Sequence, residues 1–148
     1  MYHISLRILK NREEAEDVVQ ECFIDMFHKL DSWRGESSFG SWFKRIVINR
    51  SINTLKKKKL ILLDEEKGKN IFEEEEEFIN EIPFTVEQVK HAMNELSDGY
   101  RLVFSLYIFE NYSHKEIAEQ LNITESTSKS QLNRAKKRMF EILNNSKN

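Results

Sequence analysis

The chain has 148 residues, 39% hydrophobic and 32% charged, with four Gly and one Pro, a composition that can fill one ordinary core or two small helical ones and disfavours turn-rich sheets. Its one cysteine excludes an internal disulfide, no apolar run reaches the ~20 residues that span a bilayer, and no N-terminal run resembles a secretory leader. The net charge of −2 argues against a uniformly basic nucleic-acid binder, so the expected class is a soluble all-α protein whose charge must be read piece by piece.

Met1 to Leu9 reads as the end of a helix broken near Asn11, and its abrupt start leaves room for an upstream portion. From Arg12 to Leu30, Ala15, Val18, Val19, Cys22, Phe23, Met26, Phe27 and Leu30 recur at helical spacing and predict one apolar stripe. Glu13, Glu14, Glu16 and Asp17 suit the positive end of that helix. Cys22 falls on the stripe, which makes it a small core residue and not a redox sensor. Asp31 to Ser38 (DSWRGESS) reads as a loop with Gly35 as the break. Phe39 to about Lys58 then predicts a long helix carrying Trp42, Phe43, Ile46, Val47, Ile48, Ile52 and Leu55 on a broad apolar face.

Residues 60–84 include five consecutive glutamates, Glu73 to Glu77, and predict a solvated acidic linker, with a helix over Ile71 to Ile79 as the alternative. After Pro83, Val86, Val89, Met93 and Leu96 mark a helix that ends around Ser97 to Gly99, and Tyr100 to Phe109 marks another that stops near Asn111. Ser113 and Glu116 fit a capping box, opening a helix that buries Ile117, Ala118 and Leu121 and closes at Asn122 in the left-handed region. The last helix runs from Thr124 to Leu143 with Leu132, Ala135, Met139, Ile142 and Leu143 inward.

Charge follows this division. Residues 1–59 carry 12 Lys/Arg against 8 Asp/Glu, residues 60–84 carry 2 against 9, and residues 85–148 carry 9 against 8. Two helical domains, 1–59 and 85–148, joined by an acidic linker over 60–84, are therefore expected, and the linker is placed to fold back over the basic patches.

Ser113 to Arg138 carries the strongest functional signal. A short helix, a tight turn at Asn122 to Thr124 and a longer basic helix match a helix-turn-helix, and small Ala118 permits close approach. Ser126, Thr127, Lys129, Ser130, Gln131 and Asn133 offer groups for base edges, while Arg134, Lys136, Lys137 and Arg138 lie farther along for phosphates. An ordinary helical hairpin with a solvated basic face is the bland alternative. The cap, turn, small residue and basic half together favour DNA.

Ser113-HKEIAEQLNITESTSKSQLNRAKKRM resembles the promoter-reading helix-turn-helix of extracytoplasmic-function RNA polymerase sigma factors. NREEAEDVVQECFIDMFHKL and WRGESSFGSWFKRIVINRSINTLKK resemble that family's other domain, so the likeness spans about residues 2–58 and 85–144. The resemblance implies a cytoplasmic, non-enzymatic protein that holds core polymerase, reads the −10 and −35 promoter elements and is masked by an anti-sigma factor. It implies contact with the polymerase's largest subunits through Asp17, Gln20, Glu21 and Ile24. It implies a −10 surface that holds single-stranded DNA on Trp33, Arg34, Ser37, Ser38, Lys44, Arg45, Asn49, Arg50, Asn53 and Lys56. Phe39, Trp42 and Phe43 fit core packing better than base stacking, whereas Trp33 in its polar loop fits stacking. A −35 surface is implied on Ser126, Thr127, Lys129, Ser130, Gln131, Asn133, Arg134, Lys136 and Lys137.

Two departures from the family pattern stand out. Ser128 replaces a frequent Val and weakens packing unless its hydroxyl bonds back to the helix. Gln131 replaces a basic residue and favours adenine over guanine. The family also has a further helical stretch before Tyr2. His3, His28, His91 and His114 are too dispersed for a metal set, and no phosphate-loop or nucleophile motif is present, so no cofactor, metal, membrane contact or small-molecule substrate is expected. A stand-alone dimeric helix-turn-helix regulator leaves Glu16 to Glu21 and the WRGESSFGSW loop without a role. A purely structural helical interaction protein is a second rival, favoured if Ala at Arg134 and Lys136 costs no DNA-dependent activity.

Overall fold

The computed structural model describes residues 1–58 and 84–146, and among these every regular element is helical. The chain divides into two compact units, Met1–Ile61 and Leu62–Asn148. The acidic strip read as a linker lies almost wholly outside the described residues, as does the alternative helix over 71–79.

In the first unit α1 (Tyr2–Leu9) ends where Lys10 adopts a left-handed φ of 58° and donates its N–H to Leu6 O at 2.8 Å. Asn11 follows and caps α2 (Arg12–Lys29), its Oδ1 accepting from Glu14 N at 3.1 Å. The cap fixes the reversal between the two helices, since it satisfies an N–H that would otherwise lack a partner. A 3₁₀ turn (Leu30–Ser32) and a loop containing Gly35 at φ 74° lead to α3 (Phe39–Lys58). The left-handed backbone at Gly35 is the break expected there, and a side chain would strain it.

The three helices share a core of Ile4, Ile8, Leu9, Ala15, Val18, Cys22, Met26, Phe43, Val47, Ile48, Ile52 and Leu55. Ser5 and Ser51 are buried between α1 and α3 with hydroxyls 2.9 Å apart, and Ser51 Oγ also lies 2.7 Å from Val47 O. The polar pair thus satisfies itself inside an apolar layer. The apolar stripe expected on α2 is narrower in fact. Phe23, Phe27 and Leu30 are 47%, 72% and 42% exposed, and Val19 is half-buried. Ala15, Val18, Cys22 and Met26 take the inner line, and the next residue along a helix is turned away by ~100°.

In the second unit Thr85 and Gln88 form a capping box for α4 (Val86–Glu95). Val86, expected to mark its apolar face, is instead exposed on the first turn, while Ala92, Met93 and Leu96 are buried. Ser97 caps α5 (Asp98–Phe104), which continues into a π-helical turn over Ser105–Phe109 and stops at Asn111 with φ 57°. Arg101 is almost wholly buried. Its Nη1 donates to Leu96 O at 3.2 Å and its Nη2 to Asp98 Oδ1 at 2.5 Å, which offsets the cost of a buried charge. Both halves of the expected capping box open α6 (His114–Leu121), and Asn122 closes it at φ 56°. The final helix, α7 (Glu125–Ser146), packs against α4, α5 and α6 through Leu132, Ala135, Met139, Ile142 and Leu143.

Candidate nucleic-acid and partner interfaces

Asp17, Gln20, Glu21 and Ile24 are all exposed, and their i, i+3, i+4, i+7 spacing puts them on one outer face of α2. Ile24 is 59% exposed, and Phe23 and Phe27 widen the apolar part of that face. Phe23 leans against Phe43 with ring centroids 5.1 Å apart, which holds its ring on the rim of the core. Large apolar groups clustered in water beside carboxylates have the character of a docking surface.

The loop before α3 is organised by aromatic packing. Trp33, Phe39 and Trp42 form a cluster with centroids 5.5, 5.6 and 6.4 Å apart, and Trp33 Nε1 donates to Ser37 O at 3.0 Å. Trp33 is therefore a half-buried part of a cluster, not the free plate expected from its polar loop. Phe43 is core as expected, Trp42 is half-buried, and Phe39 reaches solvent at 37% exposure because it sits on the first turn of α3. Ser38 Oγ accepts from Ser41 N at 3.2 Å and lies 2.9 Å from Ser41 Oγ, so this hydroxyl caps the helix. Arg34 and Ser37 are exposed on the loop.

On α3, Arg45, Asn49, Asn53 and Lys56 are exposed at i, i+4, i+8 and i+11, and Lys44 is half-buried beside them. A groove of about 450 Å³ runs between α2 and α3, lined by Glu21, Asp25, Lys29, Ile46, Asn49, Arg50, Asn53, Thr54, Lys56 and Lys57. Arg50 departs from the expectation of a phosphate-seeking cation. Its Nη2 lies 2.9 Å from Asp25 Oδ2 and its Nε 3.4 Å from Glu21 Oε2. The reason is geometric: α2 and α3 pack side by side, and their polar edges meet over the groove. Asp25, absent from the residues singled out by sequence, is central to it. Beneath the groove Cys22 is wholly buried, with Sγ 4.0 Å from Ile46 O, and burial pushes its thiol up to about 11.

In the helix-turn-helix, Thr124 Oγ1 accepts from Thr127 N at 3.1 Å and so caps the start of α7. Thr127 is half-buried, with its own hydroxyl 2.9 Å from that of Thr124. Ser126, Lys129 and Lys137 point outward, and Ser130, Asn133 and Arg134 are half-buried along the same side. Asn133 Nδ2 is turned inward and has no hydrogen-bond partner among the described residues. Two expected DNA contacts are corrected. Gln131 is 1% exposed with its amide nitrogen buried, so it does not present its polar end to a duplex, and Lys136, at 7% exposure, is packed along most of its length. Packing on three helices buries a wider arc of α7 than its apolar stripe implies, and the long methylene stem of Lys136 suits the edge of that arc. Ser128, the other departure, is wholly buried with Oγ 2.9 Å from His114 Nδ1, and the His114 ring stacks on Tyr107 at 4.5 Å. Its hydroxyl is thus bonded, across the turn and not back along α7.

A helix-turn-helix in one unit, and a three-helix unit with a basic, asparagine-bearing helix edge in the other, define a transcription protein that binds DNA. The sigma-70 region 2 pattern matches residues 1–61 and the sigma-70 region 4 pattern matches residues 86–139. The chain is 29% identical over 157 residues to the ECF RNA polymerase sigma factor SigW of Bacillus subtilis, covering 97% of this chain and 82% of that protein. It is 27% identical over 151 residues to SigM of the same organism, covering 97% and 88%. The fold is also that of the sigma factor RpoE from Bartonella quintana, solved in complex with the anti-sigma factor NepR, with a TM-score of 0.63, 19% identity and coverage of 97% and 89%. The chain belongs to the sigma-70 family, in its extracytoplasmic-function group. It is a DNA-binding sigma factor that acts with RNA polymerase in promoter-specific initiation of transcription.

Proposed function

We propose that the three surfaces divide the work of initiation. The outer face of α2, with Asp17, Gln20, Glu21 and Ile24, docks on the largest subunits of core polymerase, and Phe23 and Phe27 extend that contact. The loop and α3 hold the −10 element as a single strand, through Arg34, Lys44, Arg45, Asn49, Asn53 and Lys56. The helix-turn-helix reads the −35 duplex through Ser126, Lys129, Ser130 and Lys137.

The observation that carries this reading is the outward row Ser126, Lys129 and Lys137 on a helix locked to α6 by buried Ser128 and half-buried His114. A rigid scaffold behind short polar and cationic side chains suits groove reading. Modest charge on each surface suits weak separate contacts that gain strength when polymerase holds both units on one promoter. The protein works where polymerase works, in the cytoplasm, and performs no catalysis of its own. An anti-sigma factor that covers the α2 face silences it; the RpoE chain of like fold was solved in complex with an anti-sigma factor.

The test is promoter-complex formation with purified core polymerase. The wild-type chain should form salt-dependent complexes on promoters with both elements, and Lys129→Ala/Lys137→Ala should weaken them without weakening binding to core. Unchanged promoter binding by that variant would overturn the −35 assignment.

A further inference from the structure

Arg50, on the helix proposed to hold DNA, and Glu21, on the face proposed to dock polymerase, meet in the groove between α2 and α3. The Arg50 guanidinium faces two carboxylates, Asp25 at 2.9 Å and Glu21 at 3.4 Å. Within this triad one cation stands beside two anions, so a phosphate must compete with both carboxylates for Arg50 and is repelled by them, although Lys29, Lys56 and Lys57 make the groove as a whole net positive. The Arg50 and Asp25 side chains are 37% and 30% exposed, so solvent weakens this repulsion without removing it. Asn49, Asn53 and Lys56 line the same groove, which places Arg50 among groups suited to a strand of nucleic acid. Glu21 is more open at 56% exposure and lies on the face that carries Gln20 and Ile24.

We propose that Glu21 and Asp25 are positioning groups that withhold Arg50 from DNA in the free chain, and that engagement of Glu21 by a cationic partner surface releases Arg50 to a backbone phosphate of single-stranded DNA. This rests on the assignment of α2 to polymerase and of α3 to DNA. With Glu21 drawn away, Asp25 alone still holds Nη2, and Arg50, which lines the groove, has one competing carboxylate fewer. Partner binding and strand binding then strengthen each other, as linkage requires of any shared group. Lys58 pairs with Glu14 and Arg12 with Glu16, so those carboxylates are engaged elsewhere on α2.

The experiment is a double-mutant cycle on the full chain, with a fluorescent poly-dT oligonucleotide as probe at low salt, free and with saturating core polymerase. Thermal melting of each variant confirms folding. In the free chain, Glu21→Gln and Asp25→Asn should each tighten binding about threefold. Each should also steepen the salt dependence by about 0.7, the increment for one added phosphate contact on a single strand. Neither change should appear in the Arg50→Ala background. With polymerase bound, the effect of Glu21→Gln should vanish while that of Asp25→Asn persists.

Equal tightening with and without Arg50 would reduce the effect to general charge removal and overturn the inference. Weaker binding on Asp25→Asn would overturn it as well. Failure of the underlying reading is separable. In that case Asn49→Ala and Lys56→Ala leave oligonucleotide binding unchanged, or Glu21→Gln leaves polymerase affinity unchanged, and the inference falls with it.

Discussion

Ser128 Oγ of α7 lies 2.9 Å from His114 Nδ1 at the start of α6, and this contact joins the two helices of the helix-turn-helix between a wholly buried serine and a half-buried histidine. Tyr107 stacks on the same imidazole at 4.5 Å, so the ring is held on its face and at its edge. A hydroxyl here achieves by hydrogen bonding what a branched apolar side chain achieves by packing. Ser128→Ala should therefore cost about 1 kcal/mol by leaving the histidine nitrogen unserved. His114→Ala removes the same bond along with the stacking on Tyr107, and the double variant should cost less than the sum of the two. Urea unfolding of the three variants measures this. Additive losses would show that the two side chains do not act as a pair.

Lys129 and Lys136 separate contact from support. Lys129 is exposed, and its replacement by Ala should weaken promoter binding and lower the salt slope by about 0.9, leaving the melting temperature within a degree or so. Lys136 is 7% exposed, and its replacement should lower the melting temperature with little change in salt slope. Titrating promoter affinity against salt for both variants checks the contrast.

Cys22 offers a probe of the first core. Burial raises its thiol from the ordinary 9.0 to about 11, which makes the reactive thiolate far scarcer in the folded chain than in an open one. Alkylation of the native chain near pH 8 should be on the order of 100-fold slower than in denaturant. Between pH 9.0 and about 11 the unfolded chain releases this proton first, so the raised value contributes stability below that window and loses it as pH rises through it. Unfolding monitored across that range should show the decline in wild type and a shallower one in Cys22→Ala.

Phe27 is 72% exposed and contributes little to the fold, so Phe27→Ser should leave the melting temperature almost unchanged. The same variant should weaken binding to core polymerase by about tenfold, since a large apolar group beside Ile24 on a docking face is a common hot spot. Pull-down of core polymerase, calibrated by titration, reads the effect.

Much of the fold was legible in local chemistry. Ser113 with Glu116, Asn122, Gly35 and Asn11 each announce a helix end because capping and left-handed backbone depend on one or two residues. The long helix Phe39–Lys58 follows from its periodicity alone. What escaped depends on which elements meet. Gln131 and Lys136 read as surface residues until α7 is seen to pack on three helices. Phe23 and Phe27 read as core until the inner line of α2 is known to end one residue away. Asp25 and Arg50 are ordinary charges in sequence, and only the pairing of α2 with α3 makes them one cluster. Of the candidate site, the α2 face and the row Ser126, Lys129 and Lys137 lie as expected in solvent, whereas the base platform expected at Trp33 is folded into an aromatic cluster.

Reconstituted transcription on fragmented genomic DNA, with core polymerase and mapping of the transcript starts, bears most directly on the central claim. Addition of this chain should create a small set of discrete start sites, each preceded by two spaced elements in common. Lys129→Ala/Lys137→Ala should erase them while core binding persists. Start sites indistinguishable from those of core polymerase alone would mean that this chain does not direct initiation.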